Sequence, residues 1–206
     1  MMKKLIALML LVAPLTLWAQ DNTWEQPEED AQEVKKEKEN PDAKYLRGAV
    51  PEVDGRVVFS KTVEAPGKPA AEIYGIIKGY MEKMTGEKNQ LNSHIVVDEP
   101  EKYEVAGSFE EWLVFKSNYI MLDRTRFFYV FYAKCADGKA ELTINRIHYF
   151  YDEGRRAERY NAEDWITDKE AVNKKNTRLY PVTGKFRRKT IDRKDFLFNK
   201  IETLLK

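Results

Sequence analysis

Histidine is the usual general base and the commonest metal ligand, and this chain has two, His94 and His148. Each falls in a run that reads as a β-strand. Neither has a second His or Cys at the close spacing of zinc ligands, such as H-x3-H or C-x2-C. The sequence therefore assigns no metal site and no cofactor. Cys135 is the single cysteine, with Lys134 beside it but no local histidine, and a free thiol in a strand is more often buried than reactive. Two carboxylates can hydrolyse a glycosidic bond, and Asp98-Glu99, Glu110-Glu111 and Asp152-Glu153 are adjacent acids. Neighbours on a strand point to opposite faces, so none of these is a natural pair. There is no G-x-S-x-G elbow. Gly75 and Gly79 lie within a helical pattern rather than ahead of one, so there is no phosphate loop. No residue is assigned a catalytic role, and the reading leans away from an enzyme.

Two features point to binding instead. The first is the basic cluster Lys185-Phe186-Arg187-Arg188-Lys189. In an extended segment Lys185, Arg187 and Lys189 share one face, and Phe186 and Arg188 the other. Lys185, Arg187, Arg188 and Lys189 are the candidate contacts for lipid phosphates or an acidic glycan, each worth about 1 kcal/mol near an anionic surface. The competing reading is a solvated face, neutralised in part by Asp192 and Asp195. The second feature is aromatic. Phe127, Phe128, Tyr129, Phe131 and Tyr132, facing His148 to Tyr151 across a hairpin, could line a groove for a peptide or small apolar ligand. They could equally be the core that a domain of this size needs.

The elements that must position these residues follow from periodicity. Arg56 to Val63 reads as a strand opened by Asp54-Gly55. Ile73, Ile76, Ile77, Tyr80, Met81 and Met84 recur at helical spacing, with Pro69 in the first turn and Thr85-Gly86 at the end. Gly75 and Gly79 each cost that helix about 1 kcal/mol against alanine. They are either tolerated or permit a close approach. His94 to Asp98 is a short strand, and Tyr103 to Gly107 with Trp112 to Lys116 form two more pieces or one bent strand. Thr125 to Cys135 is apolar on both faces, as in a central strand. Asp137-Gly138 is a tight hairpin turn, and the return strand runs from Ala140 to Tyr151. Its inward parity shifts between Ile144 and Ile147, as a β-bulge near Asn145-Arg146 would produce. A short helix over Ala162 to Val172, a loop with Tyr180-Pro181 and Gly184, and a last helix over Ile191 to Leu205 complete the chain. Leu197, Ile201, Leu204 and Leu205 mark the buried stripe of that helix. This order is an α+β layout, with helices packed on one face of a curved, mostly antiparallel sheet.

The ends bound the organisation. Lys3 and Lys4, the apolar run from Leu5 to Trp18 and small Ala19 form a signal peptide over 1–19, too short to span a bilayer. No cysteine lies near the cleavage site to take an acyl chain, so a lipoprotein is not expected. Residues 20–49 are a polar leader, too poor in apolar residues to fold, and 50–206 are one domain. The chain has 206 residues and a formal charge of +1, so bulk charge selects no partner class. Within it, Gly154 to Lys206 is basic, with fifteen Lys and Arg against eight Asp and Glu.

The strand Gly55-Arg-Val-Val-Phe-Ser-Lys-Thr-Val-Glu-Ala-Pro-Gly67, the helix with Glu72-Ile73-Tyr74 and the ending Gly184-Lys-Phe-Arg-Arg-Lys-Thr-Ile-Asp192 resemble one family. It is a domain-of-unknown-function family with a TBP-like fold, found in exported proteins of Bacteroidetes-type bacteria. The resemblance implies a β-α-β-β-β-β-α order around a curved sheet and carries no activity or site residue. A TBP-like fold is not by itself a nucleic-acid binder, and the strands are aromatic rather than basic. The expectation is an exported, non-enzymatic binding or adaptor domain of the cell envelope, periplasmic, outer-membrane-associated or released. Its partner would be an envelope protein, an anionic lipid or an acidic glycan. A small hydrolase or isomerase with a site near His148 is the alternative, and a structural partner in an outer-membrane complex the next.

Overall fold

The computed structural model describes residues 40–117, 122–151 and 158–206. The expected signal peptide over 1–19, residues 20–39 of the expected leader and the pair Asp152-Glu153 lie outside the described residues. β1 (Glu52–Val53) and β2 (Arg56–Val57) form a small hairpin. Asp54 and Gly55 turn it at φ 51° and 70°, the left-handed pair that a type I′ turn requires. The strand expected over Arg56 to Val63 is therefore broken. Its second part, β3 (Phe59–Glu64), joins a different sheet.

In α1 (Ala70–Thr85), Ile73, Ile77, Met81 and Met84 are fully buried at helical spacing. A helix start leaves backbone N–H groups without partners, and Pro69 has no side chain to cap them. Asp137 meets that need from a distant hairpin, its Oδ1 accepting from the Ala70 N–H at 2.8 Å. Gly75 and Gly79 are exposed, and nothing lies within 4 Å of where a Cβ would sit, so neither marks a close approach.

Five strands follow: β4 (His94–Glu99), β5 (Glu104–Ser117), β6 (Leu122–Ala136), β7 (Lys139–Tyr151) and β8 (Glu158–Asn161). With β3 they make one antiparallel sheet in the order β3-β7-β6-β5-β4. The two pieces expected between Tyr103 and Lys116 are one strand, β5. The apolar Thr125 to Cys135 run is central, as its two-sided hydrophobicity requires. Asp137-Gly138 turns β6 into β7, with Gly138 at φ 76°. The outer edge of β7 is shared. β3 pairs with its first half, up to Ile144, and β8 with its second, from His148. The β6–β7 register shifts between Phe128↔His148 and Val130↔Asn145, with Arg146 at φ 54°. The bulge therefore lies where the alternation placed it.

The helix expected over Ala162 to Val172 is divided into a 3-10 turn at Ala162–Asp164 and α2 (Asp168–Ala171). The last helix, α3, runs Pro181–Leu205 and starts ten residues earlier than the expected Ile191. Pro181 suits a first helical position, where no N–H is required. Gly184 is tolerated because it makes room: a Cβ there would lie 2.6 Å from Leu179 Cβ. Leu197, Ile201 and Leu205 are buried, whereas Leu204 is 38% exposed and Phe198 fills the stripe instead. Both long helices pack on one face of the sheet, against Phe109 and Leu113 of β5, Phe127, Tyr129 and Phe131 of β6, and Leu142, Ile144, Ile147 and Tyr149 of β7. The layout is the expected β-α-β-β-β-β-α, with the β1–β2 hairpin and β8 added.

The buried stripe of α3 includes a charge. Arg193 lies among Phe186, Thr190, Leu197 and Ile201 and is 1% exposed. It grips Glu111 in the middle of β5, with Nε donating to Oε1 at 2.8 Å and Nη2 to Oε2 at 2.7 Å. Glu111 is 0% exposed, and Asn89 and Gln90 also donate to its Oε2. Burial pulls the Arg193 pKa down, but the charge of Glu111 outweighs it and the pKa is raised. Arg193 therefore keeps its charge.

Glu111→Gln leaves that guanidinium buried without its counter-charge. It is expected to cost about 3–5 kcal/mol, read as a lower urea midpoint. Glu111→Leu combined with Arg193→Met should recover most of the loss. A Glu111→Gln protein within about 1 kcal/mol of wild type, the range of surface pairs, contradicts the burial.

Candidate functional site

The basic cluster is helical, not extended. A helix spreads neighbouring residues around its axis, so the shared face expected for Lys185, Arg187 and Lys189 does not form. Arg187 is 0% exposed. Its guanidinium donates to the carbonyls of Tyr45, Leu46 and Ile166 at 2.5, 2.6 and 2.7 Å, and to Asp168 Oδ1 at 2.6 Å. Arg188 donates from Nε and Nη2 to Asp42 Oδ1 at 2.8 and 2.6 Å. Lys185 reaches Asp123 at 2.7 Å and the Tyr151 hydroxyl at 2.8 Å. Lys189 has no partner among the described residues. The partner of Arg187 and Arg188 is thus the chain itself. Residues 40–49, expected in the leader, pack on the domain: Tyr45 donates to Asp192 at 2.9 Å, Lys44 pairs with Asp192 at 2.6 Å, and Asp42 Oδ2 accepts from the Leu179 N–H at 3.1 Å.

The other candidate groups are dispersed. His94 on β4 and His148 on β7 are separated by β5 and β6, about 14 Å at ordinary strand spacing. Among the described residues no three His, Cys, Asp or Glu side chains converge as metal ligands would. Glu110 and Glu111 point to opposite faces, Glu110 to Arg126 at 3.0 Å and Glu111 to Arg193. Asp98 accepts from Tyr74 and from Lys78, the latter at 2.6 Å. Cys135 is 4% exposed, and burial pushes its thiol up to about 11.

The aromatic run of β6 divides by parity. Phe127, Tyr129 and Phe131 are core, while Phe128 and Tyr132 are half-buried on the face away from the helices. Trp112, Arg124, Arg126, Phe128, His148 and Phe150 share that face through the strand register. Arg124 lies 3.7 Å from the Trp112 ring centre, and Arg126 lies 5.1 Å from that of Phe150. The Phe128 and His148 rings stack at 4.5 Å and 8°. Cations over aromatic faces and offset rings hold this surface in register.

At one end the face sinks into a cavity of about 620 Å³. It opens where the ladder of β3 has ended and that of β8 has not begun, so among the described residues no strand pairs with residues 145–147 of β7. Arg56, Asn145, Arg146, His148, Arg159 and Glu163 line it. Glu163 is held by accepting from the Val57 N–H at 3.0 Å. His148 Nδ1 lies 3.2 Å from the Arg146 carbonyl, a contact that requires a proton on Nδ1. Burial lowers the His148 pKa, so at neutral pH the ring is uncharged and Nε2 carries a lone pair. The bulge at Asn145-Arg146 was legible in the sequence. Arg56, Arg159 and Glu163 were not, because they arrive from three separate elements and no spacing links them.

Arg187→Met would take the guanidinium donor away from three carbonyls, that of Ile166 among them fully buried. It is expected to cost about 3 kcal/mol or more in chemical denaturation, whereas Lys189→Gln should stay within about 0.5 kcal/mol of wild type. Equal effects from the two would refute the buried role of Arg187. Cys135 should resist a thiol reagent at pH 8 in the folded protein and react fully on unfolding, since its thiolate is scarce and covered. Fast labelling of the native protein contradicts this.

The comparisons with known proteins come from sequence and from structure. Residues 59–150 match the family described as a domain of unknown function (DUF4468) with TBP-like fold. The crystal structure of a DUF4468 family protein from Bacteroides ovatus is 40% identical, with a TM-score of 0.75, covering 81% of this chain and 96% of that one. A TBP-like protein from Parabacteroides distasonis shares the fold at 22% identity and a TM-score of 0.63, covering 76% of this chain and 96% of that one. No functionally curated protein matches. By sequence identity and by overall fold, this chain belongs to the DUF4468 family of domains with a TBP-like fold.

Proposed function

We propose that this protein is an exported, non-enzymatic binding domain of the bacterial cell envelope that takes its ligand on the helix-free face of the sheet. The observation that carries the reading is that face itself. Among the described residues no helix covers it, and its rings and guanidinium groups are half-exposed beside a cavity. Aromatic and arginine side chains dominate binding energy at interfaces because they present large, rigid contact area. The basic cluster on α3 gives this reading little support, because three of its four cations are held by the chain itself. Export rests on the first nineteen residues alone. No helix among the described residues is long and apolar enough to cross a membrane.

A second reading has a specific observation behind it. The cavity holds His148, and an uncharged imidazole with a free Nε2 is the state a general base needs. Glu163, the acid nearest to hand, is already committed to the β2 backbone. A hydrolase or isomerase would need a second group that the lining does not supply.

Ligand-observed NMR against acidic and neutral glycans, peptides and lipid headgroups tests the first reading. Binding should be seen for wild type and lost in Phe128→Ala with Phe150→Ala. Fractionation of the producing cell should find the mature protein, starting at Gln20, in the envelope or medium. Ligands held equally well by the double variant would sink the proposal. So would turnover of an ester, glycoside or peptide that His148→Ala abolishes.

A further inference from the structure

The cavity at the β7 bulge combines features that the rest of the surface lacks. Three guanidinium groups reach it from three elements: Arg56 from β2, Arg146 from the bulge and Arg159 from β8. Among the described residues none of the three meets a carboxylate. Four other arginines are tied to carboxylates: Arg126 to Glu110, Arg187 to Asp168, Arg188 to Asp42 and Arg193 to Glu111. The one acid in the lining, Glu163, leaves a net positive pocket. Positive groups around a recess with low-dielectric walls focus their field into it.

The backbone at the same point is held in an unfavourable state. Arg146 takes φ 54°, a left-handed conformation that side-chain-bearing residues disfavour. Its neighbour Asn145 keeps Oδ1 buried with no hydrogen-bond partner among the described residues, which adds a desolvation cost. Strain of this kind persists where surrounding structure imposes it, and it clusters at ligand sites. The bulge sets Arg146 beside His148 on the shared edge of β7, and the recess opens where no described strand pairs with 145–147. A volume of about 620 Å³ is that of a small-molecule site.

We propose that this cavity is a specific site for a small oxyanion ligand, a carboxylate or a phosphate, gripped by Arg56, Arg146 and Arg159. Guanidinium matches both oxyanions in a planar, forked geometry. The site deepens the binding reading above and rests on it, because it places the charged end of a ligand at the edge of the aromatic face. Val58, which also lines the cavity, would meet the apolar part of the ligand.

The test is a titration of the purified protein, followed by amide chemical shifts, with inorganic phosphate in one arm and glucuronate in the other. Saturable shifts are expected, confined to residues near 56–58, 145–148 and 159–161. Arg146→Gln with Arg159→Gln should weaken binding by about tenfold or more, as for the loss of a charge-assisted hydrogen bond, with an unchanged melting curve. Lys189→Gln should bind as wild type does. Saturation by phosphate alone assigns a phosphate ligand, and by glucuronate alone a carboxylate. Shifts that stay linear for both anions, or a double variant with wild-type affinity, overturn the site. If ligands still bind at Phe128 and Phe150 in that case, the binding face stands without the anion pocket. If nothing binds there either, the binding reading falls as well.

Discussion

The arrangement depends on two arginines buried along one helix. α3 is long and polar in composition, with Leu197, Ile201 and Leu205 as its apolar anchors near the C-terminal end. Towards its N-terminal end Arg187 and Arg193 occupy positions where leucine would be ordinary. A buried guanidinium cannot shed its charge, so it must find acceptors in fixed directions. Arg193 finds the Glu111 carboxylate in the centre of the sheet, and Arg187 finds three backbone carbonyls and Asp168. Apolar packing would tolerate small slides of α3 over the sheet. These bonds permit one register, and they draw residues 40–49 and the segment around Ile166 into the fold.

The two faces of the sheet are consequently unlike. The helix face is closed by rings and aliphatic side chains in close contact, with Phe186 of α3 seated against Phe115, Tyr149, Tyr151 and Trp165. The opposite face carries rings of the same kinds, covered by cations rather than by a helix. Trp112 under Arg124, and Phe150 near Arg126, are ordered by contacts across strands. One extra residue in β7 then separates the ladder of β3 from that of β8. A β-bulge that reverses inward parity also opens the edge at which Arg56, Arg146 and Arg159 meet.

Kinship with the DUF4468 protein of Bacteroides ovatus fixes the fold and the family, and leaves function to the site. What distinguishes the region around His148 is local chemistry: three arginines that meet no carboxylate among the described residues, a strained backbone at Arg146 and an unsatisfied amide oxygen on Asn145.

Much of the architecture was legible beforehand. Period-two and period-3.6 patterns found β5, β6, β7 and α1, and the parity change from Ile144 to Ile147 located the bulge. These signals are local, because each element exposes one face to a single environment and the residues record it in order. Helix α3 was cut short because Tyr180-Pro181 and Gly184 resemble loop residues. Proline in fact opens the helix, and the glycine makes room for Leu179. The basic cluster was misplaced for a related reason. Charge alone does not say whether a cation faces water or a carboxylate far away in sequence, and Asp42, Glu111 and Asp168 carry no mark of the arginine each receives. The α+β elements, their order and the bulge can be read along the chain, since hydrophobic periodicity is written within each segment. Which arginines are buried and paired, and which three converge on a cavity with no carboxylate partner among the described residues, is set in three dimensions, because it depends on the partners that distant segments bring within hydrogen-bonding reach.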